Sequence, residues 1–403
     1  MRIAMLGSRG VPATYGGVER HVEEIGARLV ERGHEVTVYS RDHYLEDDAP
    51  SYRGMRRLRP GGLASKHLDA ISHTAVAAVD ALRRPYDVVH YHALGPGLLT
   101  PVPRLLSRSR VVLTVHGMDF ERDKWGPAAR TVLKTAGWVC AHVPDRTVVV
   151  APTLRTEFQR RYGTDPAYIP NGVEPGPQLP ARAIRDRFGL RGGDYVLYVG
   201  RLVPEKGAHL LLEAWDALRP PGLRLVIAGG TSFTDDYVSR LRASTAGRDD
   251  VILPGYVFGS ALSELYANAR VFVQPSSLEG MPLTLLEAAA HGSPVVASDI
   301  PVHVAMLGHD AAGQRLFPSG SAQGLRQALG RALADPVEEA CAALRLRDRV
   351  IEEYSWRRVV DETEALYEEL LEATSRRSPN GPAGRPGARR RAAAARSGHL
   401  PGW

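Results

Sequence analysis

The stretch that most constrains this chain runs from Ala269 to Asp299. It reads as strand, polar turn, helix, loop and strand. Val271, Phe272 and Val273 form a short apolar run that stops at Gln274-Pro275-Ser276-Ser277. Pro282 suits a first helical position, where its missing N–H is an orphan anyway. Leu283, Leu286 and Ala290 set an apolar stripe at helical spacing. Gly292 ends the helix, and Val295-Val296-Ala297 opens the next strand. A βαβ unit of this kind aims its helix N-terminus at the carboxyl edge of the sheet. Open α/β folds bind ligands there, and exposed N–H groups suit phosphates.

The same pattern repeats along the chain. Arg2–Leu6 reads as a strand, and Val18, Val22, Ile25 and Leu29 share one helical face before Gly33 and a second strand over residues 35–39. The spacing predicts a helix over 68–82, a strand over 87–92 and another over 111–115. Residues 147–150 close this first set. Residues 174–190, dense in Pro, Arg and Gly, read as a linker. A second set begins with the strand 195–200 and continues through strands at 223–228 and 251–256. A last amphipathic helix follows Tyr354-Ser355-Trp356. The expected domains are 1–175, 190–354, a crossover helix 355–374 and a tail 375–403. The chain is long enough for two such domains with substantial cores.

Net charge narrows the partners. The total is +6, but Ser375–Trp403 holds seven arginines and no acidic residue, which leaves the body near −1. The body is therefore no basic nucleic-acid binder. The tail, rich in Pro, Gly, Ala and Arg, has the composition of disorder and the charge for weak contact with an anionic membrane surface. Cys140 and Cys341 lie far apart without ligand spacing, so neither a disulfide framework nor a zinc site is implied. No apolar run approaches the ~20 residues of a membrane span. The N-terminus enters a strand directly, and the expected place is the cytoplasm, or peripheral on the inner face of the membrane.

Four groups of residues carry candidate chemistry. Glu279 precedes the Pro282 helix and Glu287 follows eight positions later, which puts their Cα atoms roughly 10 Å apart. That span suits two ends of one elongated ligand. Each carboxylate accepts two hydrogen bonds and so matches a vicinal diol, of which a nucleotide-sugar has one on the ribose and one on the hexose. Arg201 and Lys206 flank a strand-to-helix loop, where a guanidinium fork and a point charge can hold a diphosphate without a metal ion. Gly16 and Gly17 stand at the start of the first helix, where paired glycines let backbone approach a ligand. They do not form the tighter G-x-G-x-x-G fingerprint. His116 ends a strand of the first set and points to the cleft edge, whereas His90 and His92 read as structural. Asp47-Asp48, Asp235-Asp236 and Asp249-Asp250 lie in loops without the context of a metal-binding Asp-x-Asp, and read as structural too.

SSLEGMPLTLLEA resembles the E-x7-E signature of the retaining GT-B glycosyltransferases, the glycosyltransferase family 4-like group. GRLVPEKG is similar to that family's diphosphate-binding motif, and GSRGVPATYGG resembles a bacterial polysaccharide-assembly branch. The resemblance covers residues 1–374. It implies two Rossmann-like domains facing across a cleft, with the C-terminal helix returning to the first, and retaining transfer of a sugar from a nucleotide-sugar to a hydroxyl acceptor. Glu279 is then assigned to the transferred sugar, Glu287 to the ribose, Arg201 and Lys206 to the diphosphate, Gly16-Gly17 to closure from the first domain, and His116 to the reaction site. Tyr256, or Val257 beside it, resembles the nucleobase wall. Residues 119–125 resemble an acceptor-side loop, and 168–173 an inter-domain strand with Asn171-Gly172 as its turn. No cofactor and no metal are expected. A GT-B epimerase, a phosphorylase and a non-catalytic sugar-nucleotide binding protein are the alternatives. An epimerase needs an acid/base pair flanking the sugar, and a pyridoxal-type phosphorylase a Schiff-base lysine on a longer chain.

Overall fold

The computed structural model describes residues 1–14, 16–45, 47–62, 69–117, 127–230, 235–308 and 315–377. The acceptor-side loop, Tyr15 and the tail from residue 378 lie outside these.

Two parallel sheets form, one in each half of the chain. The first contains β1 (Arg2–Leu6), β2 (Glu35–Tyr39), β3 (Ser51–Tyr52), β4 (Met55–Leu58), β5 (Val88–His92), β6 (Arg110–Val115), β7 (Arg146–Val149) and β8 (Ala167–Tyr168). Their order is β3-β4-β2-β1-β5-β6-β7-β8, antiparallel only at the β3–β4 edge. The second contains β9 (Tyr195–Val199), β10 (Arg224–Ala228), β11 (Val251–Gly255), β12 (Val271–Gln274), β13 (Val295–Ser298) and β14 (Leu316–Phe317), in the order β11-β10-β9-β12-β13-β14. Helices cover both faces of such sheets, so central strands are apolar throughout rather than alternating. Ile3, Ala4, Met5 and Leu6 are all fully buried, as are Val196, Leu197 and Tyr198.

Strand order fixes where a ligand sits. Sequence direction reverses at β1, between β2 and β5, and again at β9, between β10 and β12. Crevices open at the carboxyl ends of strands at such reversals. The loops after β1, β5 and β6 therefore face those after β9 and β12.

Several local expectations change. Pro282 caps its helix from outside with an extended ψ of 111°, and Leu283 is the first helical residue of Leu283–Ala290. The Pro282 carbonyl, not its absent N–H, serves the helix, accepting from Leu285 and Leu286 at 3.2 and 3.3 Å. The strand expected over 168–173 shrinks to β8 plus one bridge from Val173 to Ser355, since Pro170 brings no N–H to a ladder. Within the expected linker, Ala183–Phe188 is a helix. Glu264 starts it by accepting from the N–H groups of Arg182 (2.9 Å) and Ile184 (3.1 Å). Propensity alone could not show this, because the cap comes from 80 residues away.

The last helix, Trp356–Arg377, runs three residues past its expected end and returns to the first domain. Arg32 and His34, after the helix Gly17–Glu31, bond Glu364 at 2.6 Å each. Tyr367 lies fully buried with its hydroxyl 2.6 Å from Nδ1 of His90. His90 also meets Thr114 at 2.7 Å, so both its ring nitrogens are used within the fold, as a structural role requires.

Candidate active site

Glu279 is the centre of the second domain's edge. It lies in the loop after β12, with its side chain only 6% exposed. Lys206 Nζ stands 2.5 Å from its Oε1, and Gln274 donates to the same oxygen at 2.8 Å. Thr284, in the first turn of the next helix, donates to Gln274 at 3.2 Å and fixes the amide. Lys206 arrives through a short 3-10 turn, Pro204–Lys206, that leads from β9 to the helix Ala208–Leu218. Burial alone would push the Glu279 carboxyl up. Lys206, with His303 and Ser276 behind it, outweighs burial and holds the group below the ordinary glutamate value. His303 is itself held down to about 4, first by burial, so it is neutral at pH 7 and Lys206 is the working counter-charge.

Glu287 occupies a different environment. It lies in the second turn of Leu283–Ala290, half-buried, and accepts from the Tyr266 hydroxyl at 3.1 Å. Burial pushes its carboxyl above the ordinary value, against the pull of Arg20 from the first domain's leading helix. Arg20 is thus near enough for its charge to count, although it spends itself on Glu23 and Glu24 at 3.2 and 2.8 Å.

Arg201 follows β9 and is half-buried, with its carbonyl accepting from Tyr198 at 3.0 Å. Of the two candidates for the nucleobase wall, Val257 turns into the core at 6% exposure. Tyr256 is 38% exposed and lies nearly parallel to Phe258, ring centroids 5.8 Å apart. Gly230 packs so closely that a Cβ there would come within 2.6 Å of the Tyr256 ring. Phe258 is 52% exposed, and an isolated aromatic after a strand has no distinctive spacing in the sequence.

The first domain contributes backbone and imidazoles. Gly16 precedes its helix at φ 110°, a conformation L side chains avoid, and a Cβ there would strike the Glu19 carboxylate. Glu19 accepts from the Arg9 N–H at 3.0 Å and Glu23 from the Ala13 N–H at 2.6 Å, so two helix carboxylates hold the glycine loop. Gly17 opens the helix, where a Cβ would stand 3.5 Å from Leu283 of the second domain. His116 follows β6, half-buried, with its carbonyl pressed against Gly280; a Cβ at Gly280 would overlap that oxygen. This glycine brings the loop that carries Glu279 into van der Waals contact with the loop that carries His116. Asn171 joins the same two halves. Its Nδ2 donates to the Met281 carbonyl at 2.9 Å, and its Oδ1 lies 2.9 Å from Nδ1 of His21.

His116 does not stand alone. Its Nε2 is 3.3 Å from Nδ1 of His92, and its ring meets that of His21 edge-on at 4.6 Å. His21 was missed in the sequence, because a buried position on an amphipathic helix gives no signal of what it faces. The signal available was the Asn171-Gly172 turn, which returns to it. The structure thus brings together Lys206 and Glu279, and sets His116 against Gly280 beside them. Glu287, Arg201 and Tyr256 lie on the same edge of the second domain.

Residues 15–176 match the family model described as Glycosyltransferase Family 4, and residues 181–353 that described as Glycosyl transferases group 1. A GDP-mannose-dependent alpha-(1-6)-phosphatidylinositol monomannoside mannosyltransferase of Mycobacterium tuberculosis is 30% identical over 324 residues, covering 74% of this chain and 81% of that protein. A D-inositol 3-phosphate glycosyltransferase of Acidothermus cellulolyticus is 33% identical over 330 residues, with 71% of each covered. Among solved structures, sucrose-phosphate synthase from Thermosynechococcus elongatus matches with a TM-score of 0.79 at 22% identity, over 92% of this chain and 99% of that one. Anabaena HepE, in complex with UDP and glucose, matches with a TM-score of 0.76 at 18% identity, over 92% and 100%. These two share the fold. Enzymes of the matched family in general retain anomeric configuration and work without a metal ion. With two parallel-sheet domains, a motif-bearing edge on each and two family models in register, the chain belongs to the family 4 glycosyltransferases, GT-B enzymes that move a sugar from a nucleotide-sugar donor.

Proposed function

We propose that this enzyme transfers a hexosyl group from a nucleotide-sugar to a hydroxyl acceptor with retention, in the assembly of a glycan, glycolipid or glycoconjugate. The buried Lys206–Glu279 pair at the carboxyl edge of the second sheet carries the reading. In it, Lys206 and Arg201 hold the diphosphate, and Glu279 the hydroxyls of the migrating sugar. Glu287 takes the ribose diol, Tyr256 the base, and Gly16-Gly17 close from the opposite domain. His116 lines the face where the acceptor arrives. The departing diphosphate is the base that the acceptor proton reaches.

The pairing adds a step to this scheme. Lys206 is neutralised by Glu279 before donor arrives, so the incoming diphosphate competes with the carboxylate for one ammonium. As the diphosphate takes the lysine, Glu279 is released toward the sugar hydroxyls. Donor binding and positioning of the sugar are then one event, driven by exchange of ion pairs within a site largely shut from water, where such interactions are strong.

No helix among the described residues is long and apolar enough to cross a membrane. The seven tail arginines support contact with an anionic membrane face, with the enzyme on the cytoplasmic side.

Incubation with a panel of nucleotide-sugars tests the reaction class. Release of nucleoside diphosphate that accelerates with a sugar or lipid acceptor, with the product linkage keeping the donor's anomeric configuration, is expected. Interconversion of two nucleotide-sugars without release would make the protein an epimerase, and tight donor binding with no turnover a binding protein.

A further inference from the structure

Three imidazoles converge at the carboxyl edge of the first sheet. His21 comes from the helix Gly17–Glu31, His92 ends β5, and His116 follows β6. One ring nitrogen from each lies within 4.8 Å of the other two. His92 is fully buried and His21 is 2% exposed, while His116 is half-buried and opens the group to the cleft.

The tautomer of His21 follows from its neighbours. The Asn171 amide nitrogen must face the Met281 carbonyl, which only accepts, so the amide oxygen faces Nδ1 of His21. Nδ1 therefore carries the proton, and Nε2 presents a bare lone pair. That Nε2 is buried and has no hydrogen-bond partner among the described residues. A ring nitrogen fixed by a hydrogen bond at its opposite nitrogen is the arrangement that orients histidine toward a metal. The third edge fits as well. Nδ1 of His92 and Nε2 of His116 stand 3.3 Å apart, close to the separation of two nitrogens on one tetrahedral ion with bonds of about 2.0–2.1 Å.

We propose that His21, His92 and His116 form a binding site for a divalent transition metal of the zinc class, with its fourth position open to the cleft. All-nitrogen ligation selects zinc, cobalt or nickel over magnesium and calcium, which take oxygen. A metal here occupies the imidazole that faces the reacting sugar and stands beside the loop of Glu279. It therefore inhibits transfer rather than assisting it. The metal site is read from metal binding alone, whereas the inhibition rests on the proposed place of His116 at the reaction face, and the two readouts tell their failures apart.

The test uses full-length protein stripped by chelation and titrated with Co(II), then Zn(II). The expected result is one equivalent of Co(II) giving a visible ligand-field band, displaced by Zn(II) and unaffected by excess Mg(II). His21→Ala and, separately, His116→Gln at the half-buried edge should each weaken Co(II) binding by at least about tenfold. Thermal melting identifies folded variants, and His116→Gln keeps the test open if His21→Ala does not fold. An exposed control, His142→Ala, should bind as wild type does. Zn(II) should inhibit nucleoside diphosphate release with the midpoint at which it displaces Co(II). Absence of the band overturns the proposal. Unchanged binding in folded His116→Gln also overturns it, and full activity with Zn(II) bound overturns the inhibition.

Discussion

The two sides of the cleft treat buried polarity in opposite ways. On the second domain, Glu279 is ionised and satisfied, bonded through one oxygen to both Lys206 and Gln274. On the first, His21 and His92 are neutral, and each keeps one ring nitrogen without a partner among the described residues. Physical cost explains the contrast. A buried charge without a counter-charge is prohibitive, so the fold must supply Lys206. A neutral imidazole missing one hydrogen bond costs only about 1–3 kcal/mol and is tolerated. One side is therefore built around a paired charge, and the other around neutral rings with hydrogen-bonding capacity left over.

The largest effect should come from removing half of the charged pair. Lys206→Ala leaves Glu279 buried without its counter-charge and should destabilise the protein by about 3 kcal/mol, the low end for a buried pair because Lys206 is 15% exposed. Denaturant unfolding measures it. Adding Glu279→Gln should restore part of that loss, and equal stability of the single and double variants would show that the pair is not coupled.

Arg201, just after β9, comes next. Arg201→Ala should weaken nucleoside diphosphate binding by about 1.5–3 kcal/mol, as for one charge-assisted hydrogen bond. Calorimetry decides it, and unchanged affinity removes Arg201 from the diphosphate site.

The two glutamates sharpen the comparison within the donor side. Contacts that tighten in the transition state lower kcat when removed, whereas uniform binding mainly raises KM. Glu279→Gln should depress kcat while free diphosphate binds as well as before or better, because Lys206 is released. Glu287→Gln should cost about 1 kcal/mol in diphosphate and donor affinity, with a smaller effect on kcat at saturation. If both variants lose diphosphate affinity equally, the division between sugar and ribose is wrong.

The smallest effect is in pH. The Glu279 carboxyl is held below the ordinary 4.5, so its stabilising contribution is present above that value and lost as pH falls through the folded one. Glu287 is pushed above 4.5 by burial, so its contribution is present below that value and lost as pH rises through the folded one. Glu287→Gln should therefore be more stable than wild type at pH 7, with the advantage shrinking toward pH 4. Unfolding free energies at the two pH values give the sign directly, and an advantage that grows on acidification would contradict it.

Strand and helix periodicity, the motif spacings and the direction of each βα loop are local properties, and they determined that this chain is a two-domain α/β protein. Arg201, Lys206 and Glu279 could be placed at the sheet edge because each lies in a loop that follows a strand, whereas Glu287 lies a turn further into its helix. Partnership was not legible. Lys206 and Glu279 are 73 residues apart, and only the adjacency of β9 and β12 makes them an ion pair. His21, His92 and His116 meet because β1, β5 and β6 lie side by side while a helix crosses over them. The cap that Glu264 gives the helix at Ala183 is of the same kind. Local pattern decides what each segment is, because backbone geometry repeats every two or 3.6 residues. Which charges cancel and which polar atoms stay unpaired depends on distances across the chain, and these exist only after the sheets have assembled.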